Sequence, residues 1–253
     1  MSDYFPIPDF DNLVTAGSSH AFLWNNVSSQ PLVQRDSRYK IAGGRITGEN
    51  SHKLQREIEK AVAQEDLVLV IAGGNDLFDA DTHHIRLRED KINQKGLLVQ
   101  TYILEEIKTF YRNIIKIAVE EDTTVIILSI FPRYFECKNN KEYYFPQEKL
   151  LRKANSKLRQ FVESRGRENF RETKKWMKVR FIDLTTHFLE NIEKFYKDPI
   201  DNVHLSKQGK IDLVRKLKFM IVELYRNNFE YRGEKISRML TTIEEEEKEK
   251  EVK

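Results

Sequence analysis

The chain has 253 residues, 40% of them hydrophobic and 33% charged, and its 43 basic and 40 acidic side chains leave a net charge of +3. That profile excludes wholesale disorder, and the charge total is too nearly balanced to mark a nucleic-acid protein by itself. The aliphatic runs LVLVIA and VIILSIF are too short to span a bilayer, the single cysteine, Cys137, cannot form an internal disulfide, and the start MSDYFPIPDF lacks a secretory pattern, so a soluble cytoplasmic or nuclear protein is expected.

Residues 1–10 read as an N-terminal extension, 11–229 as one domain, and 230–253 as a charged C-terminal extension. Within the domain, short Val, Ile and Leu runs alternate with longer stretches of helical period, the pattern of buried parallel strands joined by crossover helices. Strands are predicted at 11–16, 38–42, 67–72, 124–130 and 179–184, and helices at 50–64, 97–121, 147–164 and 206–227. The expected fold is a three-layer α/β/α sandwich around a five-stranded parallel sheet, flavodoxin-like in outline.

The second helix carries Leu97, Leu98, Thr101, Leu104, Ile107, Tyr111, Ile114, Ile115 and Ala118 at spacings of three and four, one apolar face for the sheet. Ser206 stands where an N-cap belongs, ahead of a stripe formed by Ile211, Val214, Leu217, Ile221 and Leu224. Residues 132–146, bounded by prolines, break both periods and read as a loop long enough for a lid, with Tyr134, Phe135, Tyr143, Tyr144 and Phe145 either lining a pocket or packing the loop down.

In an open parallel sheet the ligand site lies beyond the carboxyl ends of the strands. Four junctions there are informative: Gly17-Ser18-Ser19-His20, then Gly43-Gly44-Arg45-Ile46-Thr47-Gly48, then Gly73-Gly74-Asn75-Asp76, and finally Asp201-Asn202-Val203-His204 before the last helix. Turn geometry accounts for the glycines but not for an Asn and a His that both follow strands. In this order and at these distances the blocks, with Gly209 after the last of them, resemble those of the SGNH (GDSL-type) hydrolase family across roughly residues 11–227.

The resemblance implies a cofactor-free serine esterase or acyl hydrolase acting on a small ester or acylated substrate. Ser19 would be the nucleophile, His204 the base and Asp201 the carboxylate that orients it, as a Ser-His-Asp triad requires. The oxyanion donors would be the Ser19 backbone N–H, a backbone N–H at Gly44 or Arg45, and the Asn75 side-chain amide. Two departures stand out: Ser18 replaces the family's usual Asp, which leaves Ser18 as the other candidate nucleophile, and either Gly44 or Arg45 matches the donor glycine of the second block, where an arginine side chain would narrow the pocket or bind an anionic substrate. The resemblance extends to the divergent SGNH-like domains of animals, one type of which binds RNA and has lost catalytic residues; the unusual Ser18 and Arg45 favour that placement, and the filled Ser, Asn, Asp and His positions oppose it.

The run Asp76, Asp79, Asp81, His83 and His84 has no tight metal-site spacing, and no metal is expected. Between Arg165 and Arg180 seven basic residues face two acidic ones. Arg165, Arg167, Arg171, Lys174, Lys175, Lys178 and Arg180, with Phe170 and Trp176 interleaved, read either as a solvated face or as a single-stranded RNA surface, the alternative function. A third reading is a partner helix at Ile236, Met239, Leu240 and Ile243 in the charged extension.

Overall fold

The computed structural model describes residues 12–18, 36–41, 44–48, 51–65, 67–78, 99–133, 141–173, 179–196 and 204–228. Five strands form one sheet: β1 (Asn12–Gly17), β2 (Asp36–Ile41), β3 (Leu67–Ile71), β4 (Thr124–Leu128) and β5 (Val179–Ile182). Their order is β2-β1-β3-β4-β5 and every pairing is parallel. The chain therefore leaves β1 towards one edge and returns to its other side, so the strand order reverses between β1 and β3, where such sheets open a crevice.

Alternation along the strands divides the core in two. Val68, Val70, Val125 and Ile127 turn to one face and pack with α1 (His52–Gln64), α3 (Val99–Glu120) and α4 (Lys141–Thr173). Leu67, Leu69, Ile126 and Leu128 turn to the other, against α5 (Thr185–Glu190), α6 (Ile192–Phe195) and α7 (Lys207–Asn228). β3 and β4 are buried along their full length, which is why their sequences are continuous apolar runs rather than alternating ones. The three-layer α/β/α sandwich with a five-stranded parallel sheet is thus the observed architecture.

Two helices carry the predicted faces. Leu104, Ile107, Tyr111, Ile114, Ile115 and Ala118 of α3 are buried in the first cluster, while Leu97 and Leu98 of the predicted face lie outside the described residues. In α7 the buried side is Leu213, Val214, Leu217 and Ile221, while Ile211 is half-buried, a stripe turned slightly from the predicted one. Ser206 caps α7 as expected: its Oγ accepts the Gly209 N–H at 3.0 Å, the bond that satisfies an otherwise orphaned first-turn donor.

The predicted loop at 132–146 is a correction. α4 starts at Lys141 and runs to Thr173, so it takes in the last six residues of that loop and much of the basic run beyond 164. Pro146, which bounds the loop in the sequence reading, lies inside the helix at its sixth position. Beyond Glu163 the helix lacks an apolar stripe and is held in part by pairs one turn apart, such as Arg165 with Glu168 at 2.8 Å. Residues 134–140 lie outside the described residues.

The layer around α5 contains a titratable group of consequence. His187 lies edge-on to Phe195, with centroids 5.3 Å apart, and its Nε2 is buried without a hydrogen-bond partner among the described residues. Burial, reinforced by the Lys216 charge, pushes the imidazole below its ordinary value, while Asp212 and Glu190 pull it up. The folded chain thus takes up this proton less readily than the unfolded one, so the contribution is intact above the unfolded value of about 6.5 and is lost as pH falls through it. Urea midpoints measured from about pH 8 down to about pH 5.5 should therefore fall, and His187→Gln should flatten the fall. Parallel drift in both proteins would remove His187 from that account.

Candidate functional site

The carboxyl ends of β1, β3 and β4 converge on one pocket. Its polar lining is Ser18, Asn75, Ser129 and Arg133, set among Ile71, Phe78 and Phe131. Each wall has an identifiable local cause.

The first wall depends on Gly17. Its φ is +147°, and the Ile71 backbone lies so close that a Cβ at position 17 would stand 2.0 Å from the Ile71 carbonyl oxygen. This approach lets the Ser18 N–H donate to the same oxygen at 3.0 Å and carries β1 beside β3 to the pocket mouth. Ser18 is buried there. Ser19, the predicted nucleophile, lies outside the described residues, as does Asp201.

The second wall begins at Gly73, whose φ of +97° turns the chain out of β3 into the single-turn helix α2 (Gly74–Leu77). Asp76 points back into the protein and organises the neighbouring junction. Its carboxylate accepts the Ile46 N–H at 3.2 Å, the Thr47 N–H at 2.8 Å and the Thr47 hydroxyl at 2.7 Å. From the other side Gln55 of α1 donates to the Ile46 carbonyl at 2.6 Å. Burial lifts the Asp76 carboxyl above the usual carboxylate range, against the pull of the Thr47 and Ile46 donors and the Arg45 charge.

The Ile46 and Thr47 N–H groups are thus both committed to Asp76. Gly44 has a φ of +124° and is exposed, and Arg45 is half-buried. The Gly44 carbonyl accepts from Asn75 Nδ2 at 3.0 Å, which brings the second and third predicted blocks into direct contact.

The third wall follows β4. Asn155 of α4 reaches across to accept from the Ile130 N–H and to donate to the Ile130 carbonyl, both at 2.9 Å, so one buried amide replaces the strand partner that the chain has just left. The same Nδ2 donates to Thr185 Oγ1 at 2.8 Å, and the Tyr196 hydroxyl donates to the Pro132 carbonyl. Together these bonds fix residues 130–132 and deliver Arg133 to the pocket. Its guanidinium donates from Nη2 to Asn75 Oδ1 at 3.0 Å and lies 5.2 Å from the Phe78 ring centroid.

Sequence reasoning missed Arg133, and a signal was present: the motif Phe131-Pro132-Arg133 follows a strand, the same criterion that singled out the other junctions. His204 is exposed in the bend ahead of α7, while its neighbour Leu205 is buried in the same apolar cluster as Ile71 and Phe131. Of the acidic run, Asp76 serves the Ile46–Thr47 backbone, and no group of three metal-ligating side chains occurs among the described residues. In the basic run, Arg165 is exposed and ion-paired, Arg167 exposed and Arg180 half-buried; Arg171 lies in α4, and Lys174, Lys175, Trp176 and Lys178 lie outside the described residues, as does the segment 229–253. No described helix is long and apolar enough to cross a membrane.

A family model described as GDSL-like lipase/acylhydrolase matches residues 13–217. No curated protein matches the sequence. Among solved structures, the acetyl xylan esterase AlAXEase is 15% identical, with 81% of this chain and 97% of that one covered at a TM-score of 0.52. A GDSL-like lipase from Bacteroides thetaiotaomicron is 16% identical, covering 85% and 91% at 0.46, and the psychrotrophic esterase EstA from Pseudoalteromonas sp. is 13% identical, covering 86% and 100% at 0.44. At such identities the likeness is one of fold, and the first of the three carries it.

Proposed function

This chain belongs to the GDSL-like lipase/acylhydrolase family, and from that premise we propose that it is a serine ester hydrolase whose nucleophile is Ser19, whose base is His204 and whose orienting carboxylate is Asp201. Ser19 Oγ adds to the carbonyl carbon of a small ester as its proton passes to His204, giving a tetrahedral oxyanion. Collapse expels the alcohol, which takes the proton back from His204. Water, deprotonated by the same imidazole, then attacks the acyl-serine, and the acid leaves as Ser19 is regenerated.

The observation that carries this reading is the Asn75 carboxamide, held at the pocket beside Ser18 with both ends engaged. A donor immobilised before the reaction stabilises a developing oxyanion without reorganising during it, and that is worth far more than a donor which must be recruited. The RNA-binding alternative draws on the basic run. Arg165 there is exposed, pairs with Glu168 and lies 5.9 Å from the Phe161 ring centroid.

A fluorophosphonate probe tests the assignment. It should form one adduct, mapped by peptide mass to Ser19, and labelling should disappear in Ser19→Ala together with hydrolysis of p-nitrophenyl acetate. An adduct on Ser18 would move the nucleophile by one residue. No adduct and no hydrolysis would end the enzyme reading.

A further inference from the structure

We propose that Arg133 is a positioning residue for Asn75: its guanidinium locks the carboxamide in the orientation that keeps Nδ2 as the donor facing the reaction. The role in catalysis rests on the hydrolase reading above, whereas the orientation itself does not.

An asparagine side chain is nearly symmetric in shape and opposite in hydrogen-bonding sense at its two ends, so only its partners decide which way it points. Here each partner can act in one sense only. The guanidinium donates and cannot accept, and it meets Oδ1 at 3.0 Å; the Gly44 carbonyl accepts and cannot donate, and it meets Nδ2 at 3.0 Å. Turning the amide over would set donor against donor and lone pair against lone pair.

The two restraints are unequal. Gly44 is exposed, so water can replace its carbonyl at little cost. Arg133 is 7% exposed and brings a charge-assisted bond, the stronger kind. Its own position is over-determined: the guanidinium sits over Phe78, Pro132 is bonded to Tyr196, and Ile130 is held at both backbone groups by Asn155. Accepting from a cation also polarises the amide, which makes the second Nδ2–H, unused by Gly44, a better donor.

Arg133→Met preserves much of the apolar stem and removes the donors. It should lower kcat for p-nitrophenyl acetate by about 10- to 100-fold, with KM changed less than about two-fold, because what is lost is alignment in the transition state. Arg133→Lys, which keeps the charge and one donor, should recover part of the loss. In an Asn75→Ala background Arg133→Met should cost nothing more, since residues acting as a unit are not additive. Independently of turnover, the Asn75 side-chain amide signals in a nitrogen–proton NMR spectrum, identified by their loss in Asn75→Ala, should shift and exchange faster with water in Arg133→Met and stay near wild type in Arg133→Lys. Unchanged amide signals in Arg133→Met overturn the proposal even if the wild-type chain hydrolyses nothing. An equal loss in both backgrounds overturns it if the chain does. If Arg133→Met does not fold, the same two readouts on Arg133→Gln decide.

Discussion

Replacing Asn75 with alanine is expected to lower kcat by about 10²- to 10³-fold, or about 3–4 kcal/mol in the barrier, the usual cost of deleting one oxyanion donor. KM should change far less, because an ester carbonyl in its ground state accepts a weaker bond than the oxyanion it becomes. Part of any observed loss has another source: without the carboxamide, the buried Arg133 loses one acceptor and the Gly44 carbonyl loses its donor. An unmet buried donor costs about 1–3 kcal/mol of stability, so activity has to be compared at a temperature where thermal melts show both proteins folded. A kcat within a factor of about two of wild type would remove Asn75 from the oxyanion hole.

The largest effect on stability is expected at Gly17. An alanine methyl would overlap the Ile71 carbonyl oxygen, 2.0 Å away, and its carbon, 2.7 Å away, and the φ of +147° is itself strained for any residue with a Cβ. Neither backbone atom can yield unless β1 and β3 part at the point where the pocket begins. Overpacking and strain together should cost about 3–5 kcal/mol, a large share of the roughly 5–15 kcal/mol that holds a typical domain folded. Gly74→Ala is the matched control: beyond its chain neighbours and its own helix backbone no atom lies within 4 Å of its Cβ, and a loss near or below about 1 kcal/mol is expected. Equal denaturant midpoints for the two variants would show that β1 and β3 do not approach so closely at Gly17.

The strands were legible because burial on both faces forces continuous apolar runs: LVLVI and TVIIL name β3 and β4 without any tertiary knowledge. The α7 cap was legible for a related reason, since Ser206 satisfies its helix locally. Much of the site was not. Small residues around position 17 are visible in sequence, but the demand for glycine comes from Ile71, a partner that only strand pairing brings near. Asp76 looked like one member of a loose acidic run, and its role depends on Ile46 and Thr47 folding back over it. Arg133 was hidden inside a segment read as a loop bounded by prolines, where nothing local suggested a buried cation. The extent of α4 escaped for want of an apolar stripe beyond Glu163, where a pair one turn apart, Arg165 with Glu168, helps hold the helix.

The placement of β1 between β2 and β3 bears on how the molecule is made. A chain emerging from the ribosome can pair its first two strands early, but the inner edge of β1 stays open until the segment after α1 arrives, and an unpaired edge invites the wrong neighbour. The pocket mouth waits longer still, because its last wall, at Arg133, is synthesised only after β4. A nascent polypeptide halted anywhere before that residue would carry unpaired strand edges and an unfinished pocket, whose closure waits on contacts distant in sequence.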